Sequence, residues 1–127
     1  MKITTFNPQI FAVEAEPVVK LFEDLGFEKR HDQEGIGKWN VEGIRMKNPD
    51  GFHLDISCPE FELPRDMVGI RLNVDDFDSV YQLLIDRGFK NVYGNKTVNT
   101  PTGKSAMLLS PSGFGINLIQ HIKKQQS

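Results

Sequence analysis

A segment near the middle of the chain, NPDGFHLDIS, returns close to its end as SPSGFGINLI. The two copies lie 62 positions apart, and the same offset joins Leu21 to Leu83, Gly26 to Gly88, Phe27 to Phe89, Pro49 to Pro111, Gly51 to Gly113 and Phe52 to Phe114. Conservative pairs such as Ile10 with Leu72 and Leu54 with Ile116 fill the intervals, and no gap is needed from Asn7 to Ile56. Chance seldom keeps one offset over a whole module. The pattern is therefore an internal duplication, and whatever fold one half adopts the other must be able to repeat.

Each half carries its elements in the same order. In the first, NPQIFAVE is a predicted strand and EPVVKLFEDLG a predicted helix, with Pro17 in its first turn. Val18, Leu21, Phe22 and Leu25 fall at helical spacing, and Gly26 ends the run. FEKRHD, GKWNVEGIRMKN and FHLDISC then read as strands. In the second half MVGIRLNV is a strand, and Asp76 stands where it can cap the helix FDSVYQLLIDR, which Gly88 ends. FKNVYG, GKSAMLLS and GFGINLIQHI follow as strands. NPDG and SPSG read as hairpin turns. The expected architecture is α+β: two tandem β-α-β-β-β modules, 1–58 and 67–122, joined by a linker at 59–66 into a single domain. Their mixed sheets would curve into a cup, with the helices outside.

Composition narrows the function classes. A hydrophobic fraction of 39% and a charged fraction of 25% are ordinary for a soluble domain of 127 residues. The net charge of -2 gives no general attraction to nucleic acid or anionic membrane. The single cysteine, Cys58, allows no intrachain disulfide and no CxxC knuckle, and a structural thiol in a reducing compartment fits it. MKITTFNPQIF contains no long apolar run, so a signal peptide is not expected, and cytoplasmic is the default location.

Strand alternation sorts the side chains by face. Phe52, Leu54 and Ile56 would lie under the first helix, leaving His53, Asp55 and Ser57 on the opposite face. Ile70, Leu72 and Val74 would lie under the second helix, leaving Gly69, Arg71 and Asn73. Likewise Ile116 and Leu118 go inward, while Asn117, Ile119 and His121 face away, and Asn7, Gln9 and Phe11 do the same in the first strand. Either these second faces are open to water, or they line a hollow with Phe11 and Trp39 as apolar walls. In the second case Asn7, His53, Asp55, Arg71, Asn73, Asn117 and His121 are the candidate ligand-binding residues.

The duplicated order, FEDLGF and LIDRGF at the helix ends, and NPDGFHLDI and SPSGFGINL before the last strands resemble the vicinal oxygen chelate superfamily over nearly the whole chain. That superfamily includes lactoylglutathione lyases, extradiol dioxygenases and bleomycin-resistance proteins. The resemblance implies metal-ligand positions at Asn7, Asp55, Gly69 and Asn117, and association as a homodimer. Only one of the four positions is a carboxylate and one has no side chain, whereas a catalytic divalent site needs about three good protein ligands. The expectation is a small-molecule-binding member of the bleomycin-resistance type without a resident metal, taking an anionic or aromatic organic ligand. The alternative is a glyoxalase-like lyase or dioxygenase with one divalent ion at a displaced site formed by His53, Asp55 and His121.

Single residues leave further choices open. Asp55 is a general base, a ligand acceptor or the salt-bridge partner of Arg71, and Arg71 clamps an anion or balances Asp55. Trp39 stacks on a planar ligand or belongs to a strand core. His31 reads as a solvated residue. DQEGIGK, with two glycines, reads as a mobile flap and is not a phosphate loop. No GxSxG or HExxH is present, and Ser57 and Ser105 have no placed base.

Overall fold

The computed structural model describes residues 2–36, 41–59, 63–101 and 103–121, the side chains of 31–36, 41 and 42 excepted. Trp39 lies outside the described residues. The elements follow in the order β1 (Ile3–Phe11), α1 (Ala15–Asp24), β2 (Glu28–Ile36), β3 (Val41–Lys47), β4 (His53–Cys58), β5 (Met67–Val74), α2 (Phe77–Asp86), β6 (Lys90–Asn91), β7 (Val98–Thr100), β8 (Gly103–Leu109) and β9 (Gly115–His121). Shifting α1 and β3 by 62 residues lands on the bounds of α2 and β8. The fold is α+β, with the order β-α-β-β-β in the first half and one further short strand in the second, where β6 and β7 stand between α2 and β8.

The chain divides into two compact units. The first is Asn7–Gly69; the second joins the residues up to Phe6 to those from Ile70 onward. In the first unit the strands lie in the order β2-β3-β4-β1. β1 and β4 run parallel, with Gln9 opposite Asp55, and β4 pairs antiparallel with β3, with Asp55 opposite Arg45. In the second unit the order is β5-β9-β8-β6, with β7 also on β8. There β8 and β9 are antiparallel, with Met107 opposite Asn117.

Each unit has its own core beneath its helix. The first is built from Ala12, Ala15, Val19, Ile44, Met46, Leu54 and Ile56, with Ile10, Val18, Phe22 and Phe27 packed against it. The second uses Leu72, Val74, Phe77, Val80, Ala106, Leu108, Ile116 and Leu118. Burying one such aliphatic or aromatic side chain contributes about 1.5–3 kcal/mol. The apolar face of α1 is rotated from the predicted one. Ala15 and Val19 are buried, while Leu21 and Leu25 are 54% and 63% exposed. α2 uses the equivalent positions, Phe77 and Tyr81, in its own core. Phe52, expected under α1, is exposed instead, because it precedes β4 and belongs to the turn.

Both helices end in the same way. Gly26 and Gly88 have φ of 101° and 91°, in the left-handed region that a glycine enters without a Cβ clash. The Phe27 N–H donates to the Phe22 carbonyl at 2.9 Å, and the Phe89 N–H to that of Leu84 at 3.0 Å. These are the closing bonds of a Schellman motif. The edge-to-face pair Phe22–Phe27, centroids 5.6 Å apart, adds its apolar contact.

Three strand expectations change. β1 begins at Ile3, four residues before the predicted start. Residues 32–36, expected in a flap, belong to β2 and pair with β3, with a register shift between Gln33 and Ile36. FKNVYG is a strand only at Lys90–Asn91. The buried Asn91 side chain takes the Tyr93 N–H at 2.9 Å and donates to the Lys96 carbonyl at 2.8 Å. A side chain that bonds its own backbone competes with the strand ladder, and here it turns the chain. The pairing resumes in β7, which the sequence reading did not include.

Candidate functional site

In the first unit, Ile44, Met46, Leu54 and Ile56 occupy the core side of β3 and β4. Alternation therefore places Arg45 and Lys47 of β3 and His53, Asp55 and Ser57 of β4 on the other face. Asn7, Gln9 and Phe11 of β1 share that face. Their polar atoms form a short ladder: Asn7 Nδ2 donates to Asp55 Oδ2 at 3.0 Å, and Gln9 Nε2 donates to Ser57 Oγ at 2.9 Å. Gln9, Asp55 and Phe11 are buried, with 3%, 4% and 2% of their surfaces exposed. Buried polar groups at this depth require such partners, and a carboxylate requires them most.

In the second unit, Leu72 and Val74 face the core beneath α2, leaving Arg71 and Asn73 on the opposite face of β5. Both are buried. Arg71 Nε donates to Asn73 Oδ1 at 3.2 Å. Asn117 and Ile119 are half-buried on β9. Asp55 accepts from Asn7, and Arg71 donates to Asn73.

His53 and His121 are both exposed at strand termini, His53 opening β4 and His121 closing β9. Among the described residues no three or more of His, Cys, Asp and Glu come together in a group that could hold a metal ion. The family's ligand positions fare no better as a donor set. Gly69 has no side chain, and the Asn7 amide turns its N–H toward Asp55, so this pair does not present converging oxygens.

Arg45 and Lys47 are half-buried cations that the sequence reading passed over. The alternation of IRMK, with Ile44 and Met46 apolar, was sufficient to place them on this face. Cys58 donates its S–H to the Val13 carbonyl at 3.4 Å, a structural contact. No helix among the described residues is long and apolar enough to cross a membrane.

No protein-family model matches the chain, and no curated protein sequence matches it. Solved structures do. Methylmalonyl-CoA epimerase from Mycobacterium tuberculosis superposes with a TM-score of 0.66 at 14% identity, over 95% of this chain and 90% of that one. A Streptomyces coelicolor methylmalonyl-CoA epimerase variant in complex with 2-nitronate-propionyl-CoA gives 0.64 at 17% identity, over 96% of this chain and 100% of that one. A glyoxalase/bleomycin resistance protein/dioxygenase superfamily member from Vibrio splendidus 12B01 gives 0.54 at 18% identity, over 95% and 100%. The chain thus has the fold of the vicinal oxygen chelate proteins.

Proposed function

We propose that this protein binds a small organic anion through Arg71 and, like bleomycin-resistance proteins, sequesters its ligand without a resident metal. The observation that carries this reading is the arginine on the helix-free face of β5, 8% exposed and fixed through Nε by Asn73. A guanidinium held in plane suits a carboxylate, nitronate or phosphate, because its fork matches their paired oxygens. The S. coelicolor structural neighbour holds a nitronate-propionyl-CoA, a ligand of this charge class. Against a metal stands the donor set, one carboxylate with two amides and a glycine at the family positions, a poor cage for a transition ion.

Titration with small carboxylates and acyl-CoA thioesters tests the first part. Arg71→Ala is expected to weaken an anionic ligand at least tenfold; unchanged affinity removes the claim. Metal analysis after incubation with Zn, Ni, Mn and Fe tests the second, with well under one equivalent retained. Stoichiometric retention would instead favour a metal-dependent lyase or dioxygenase.

A further inference from the structure

The turn before β4 holds a dipeptide that its repeat lacks. Residues 48–52 read NPDGF and residues 110–114 read SPSGF, so Asp50 stands where the second copy has Ser112. Of the eleven glycines, Gly51 alone follows an aspartate or an asparagine. That pair has a chemistry of its own. The carboxyl carbon of an aspartate can reach the backbone nitrogen of the next residue, and a glycine there carries no Cβ to obstruct a five-membered ring.

The structure leaves the reacting groups open. Asp50, Gly51 and Phe52 are all exposed. Among the described residues none makes a hydrogen bond or ion pair to the Asp50 carboxyl. A Cβ built on Gly51, whose φ is 89°, meets nothing within 4 Å, so there is space beside the turn for a ring. One bond opposes closure: the Gly51 N–H donates to the Asn48 carbonyl at 3.0 Å. Two nearby candidates are closed to the same reaction. Asn48 precedes Pro49, whose nitrogen has no hydrogen to give up. Asp55 is buried within a strand and precedes Ile56, whose branched Cβ crowds the approach.

We infer that Asp50 is a site of spontaneous isomerisation in the folded protein. The Gly51 nitrogen attacks the side-chain carboxyl carbon of Asp50. A C–N bond forms, a C–O bond breaks, and the departing oxygen leaves as water with the carboxyl and amide protons. Water then opens the succinimide at either carbonyl. One opening restores aspartate; the other leaves isoaspartate, in which the main chain runs through the former side chain. Nothing is oxidised or reduced, and water is the only co-reactant. The product adds one carbon to the backbone of a turn closed by three bonds. These are Gly51 N–H to the Asn48 carbonyl, Asn48 N–H to the Phe52 carbonyl at 3.0 Å, and Phe52 N–H to Asn48 Oδ1 at 2.9 Å. A lengthened turn cannot keep all three, so β4 loses its closed start immediately before His53.

Ageing the wild-type protein beside the synthetic peptide NPDGFH, at neutral pH and physiological temperature over several weeks, tests this. An isoaspartyl methyltransferase labels the product, and electron-transfer fragmentation of the digested protein places it in the chain. Only one exposed hydrogen bond must open before attack, so the label is expected at residue 50 of the folded protein at a rate within about tenfold of the peptide's. No label at that residue while the peptide converts overturns the inference. Asp50→Ser gives the turn the residue that its repeat already accommodates, and it should abolish the label. Labelling undiminished in that variant overturns the assignment to Asp50. In the isoaspartate fraction, separated by chromatography, the Asn48 and Phe52 amides should exchange with solvent about tenfold faster or more. Unchanged protection there would show that the turn absorbs the extra carbon and would overturn the predicted opening of β4.

Discussion

Asp55 is the most exacting residue of the first unit, a carboxylate with 4% of its surface exposed on a strand flanked by two others. Asn7 donates to it, so Asn7→Ala takes a donor from a buried charge. The expected loss is about 1–3 kcal/mol of unfolding free energy, measured by urea denaturation. Asp76 is a different case, fully exposed at the start of α2. It accepts from the Ser79 hydroxyl at 2.8 Å and the Ser79 N–H at 3.2 Å. These bonds, the hydroxyl first, hold its carboxyl below the ordinary value of 3.8. A depressed folded value means that the cap's contribution is complete above the unfolded value and is lost as pH falls through the folded one. Melting temperature should therefore drop with Asp76→Ala at neutral pH. The gap between the two proteins should close as the medium is acidified below about pH 4. A gap unchanged at low pH would show that the carboxylate's charge is not what caps the helix.

The element scale shows how a repeat preserves mechanism while changing residues. Asn48 and Ser110 differ, yet the Asn48 Oδ1 takes the Phe52 N–H at 2.9 Å and the Ser110 Oγ takes the Phe114 N–H at 2.9 Å. Both side chains imitate a backbone carbonyl in the turn before the last strand. Gly51 and Gly113, with φ of 89° and 110°, complete it. The helix ends allow a paired test. Placing alanine at Gly26 or Gly88 forces a Cβ into the left-handed region, at about 1–2 kcal/mol. A Cβ at Gly26 meets nothing within 4 Å, whereas at Gly88 it comes 3.0 Å from Pro111 Cγ. Gly88→Ala should therefore lower the urea midpoint more than Gly26→Ala; equal effects would mean that the proline gives way freely. The predicted face of α1 failed at this scale because Val18, Leu21, Phe22 and Leu25 satisfy helical spacing as well as Ala15, Val18, Val19 and Phe22 do. Spacing does not say which stripe a sheet will cover.

For the whole molecule, the family resemblance leads to the expectation of a homodimer, which sedimentation at micromolar concentration would show as twice the monomer mass. A monomer at all accessible concentrations would remove it. By itself the sequence determined the doubled order of elements, the glycines that stop each helix, and which residues of β4, β5 and β9 avoid the core. These follow from local rules: a fixed offset, a positive φ that favours glycine, and a side-chain period of two. Tertiary structure decided the rest. It chose the stripe of α1 that is buried, broke the strand after Asn91, and settled that Asn7 reaches Asp55 while Arg71 turns to Asn73. Those choices depend on which acceptor lies within about 3 Å once the strands are paired, and strand pairing is a long-range property that no local pattern contains.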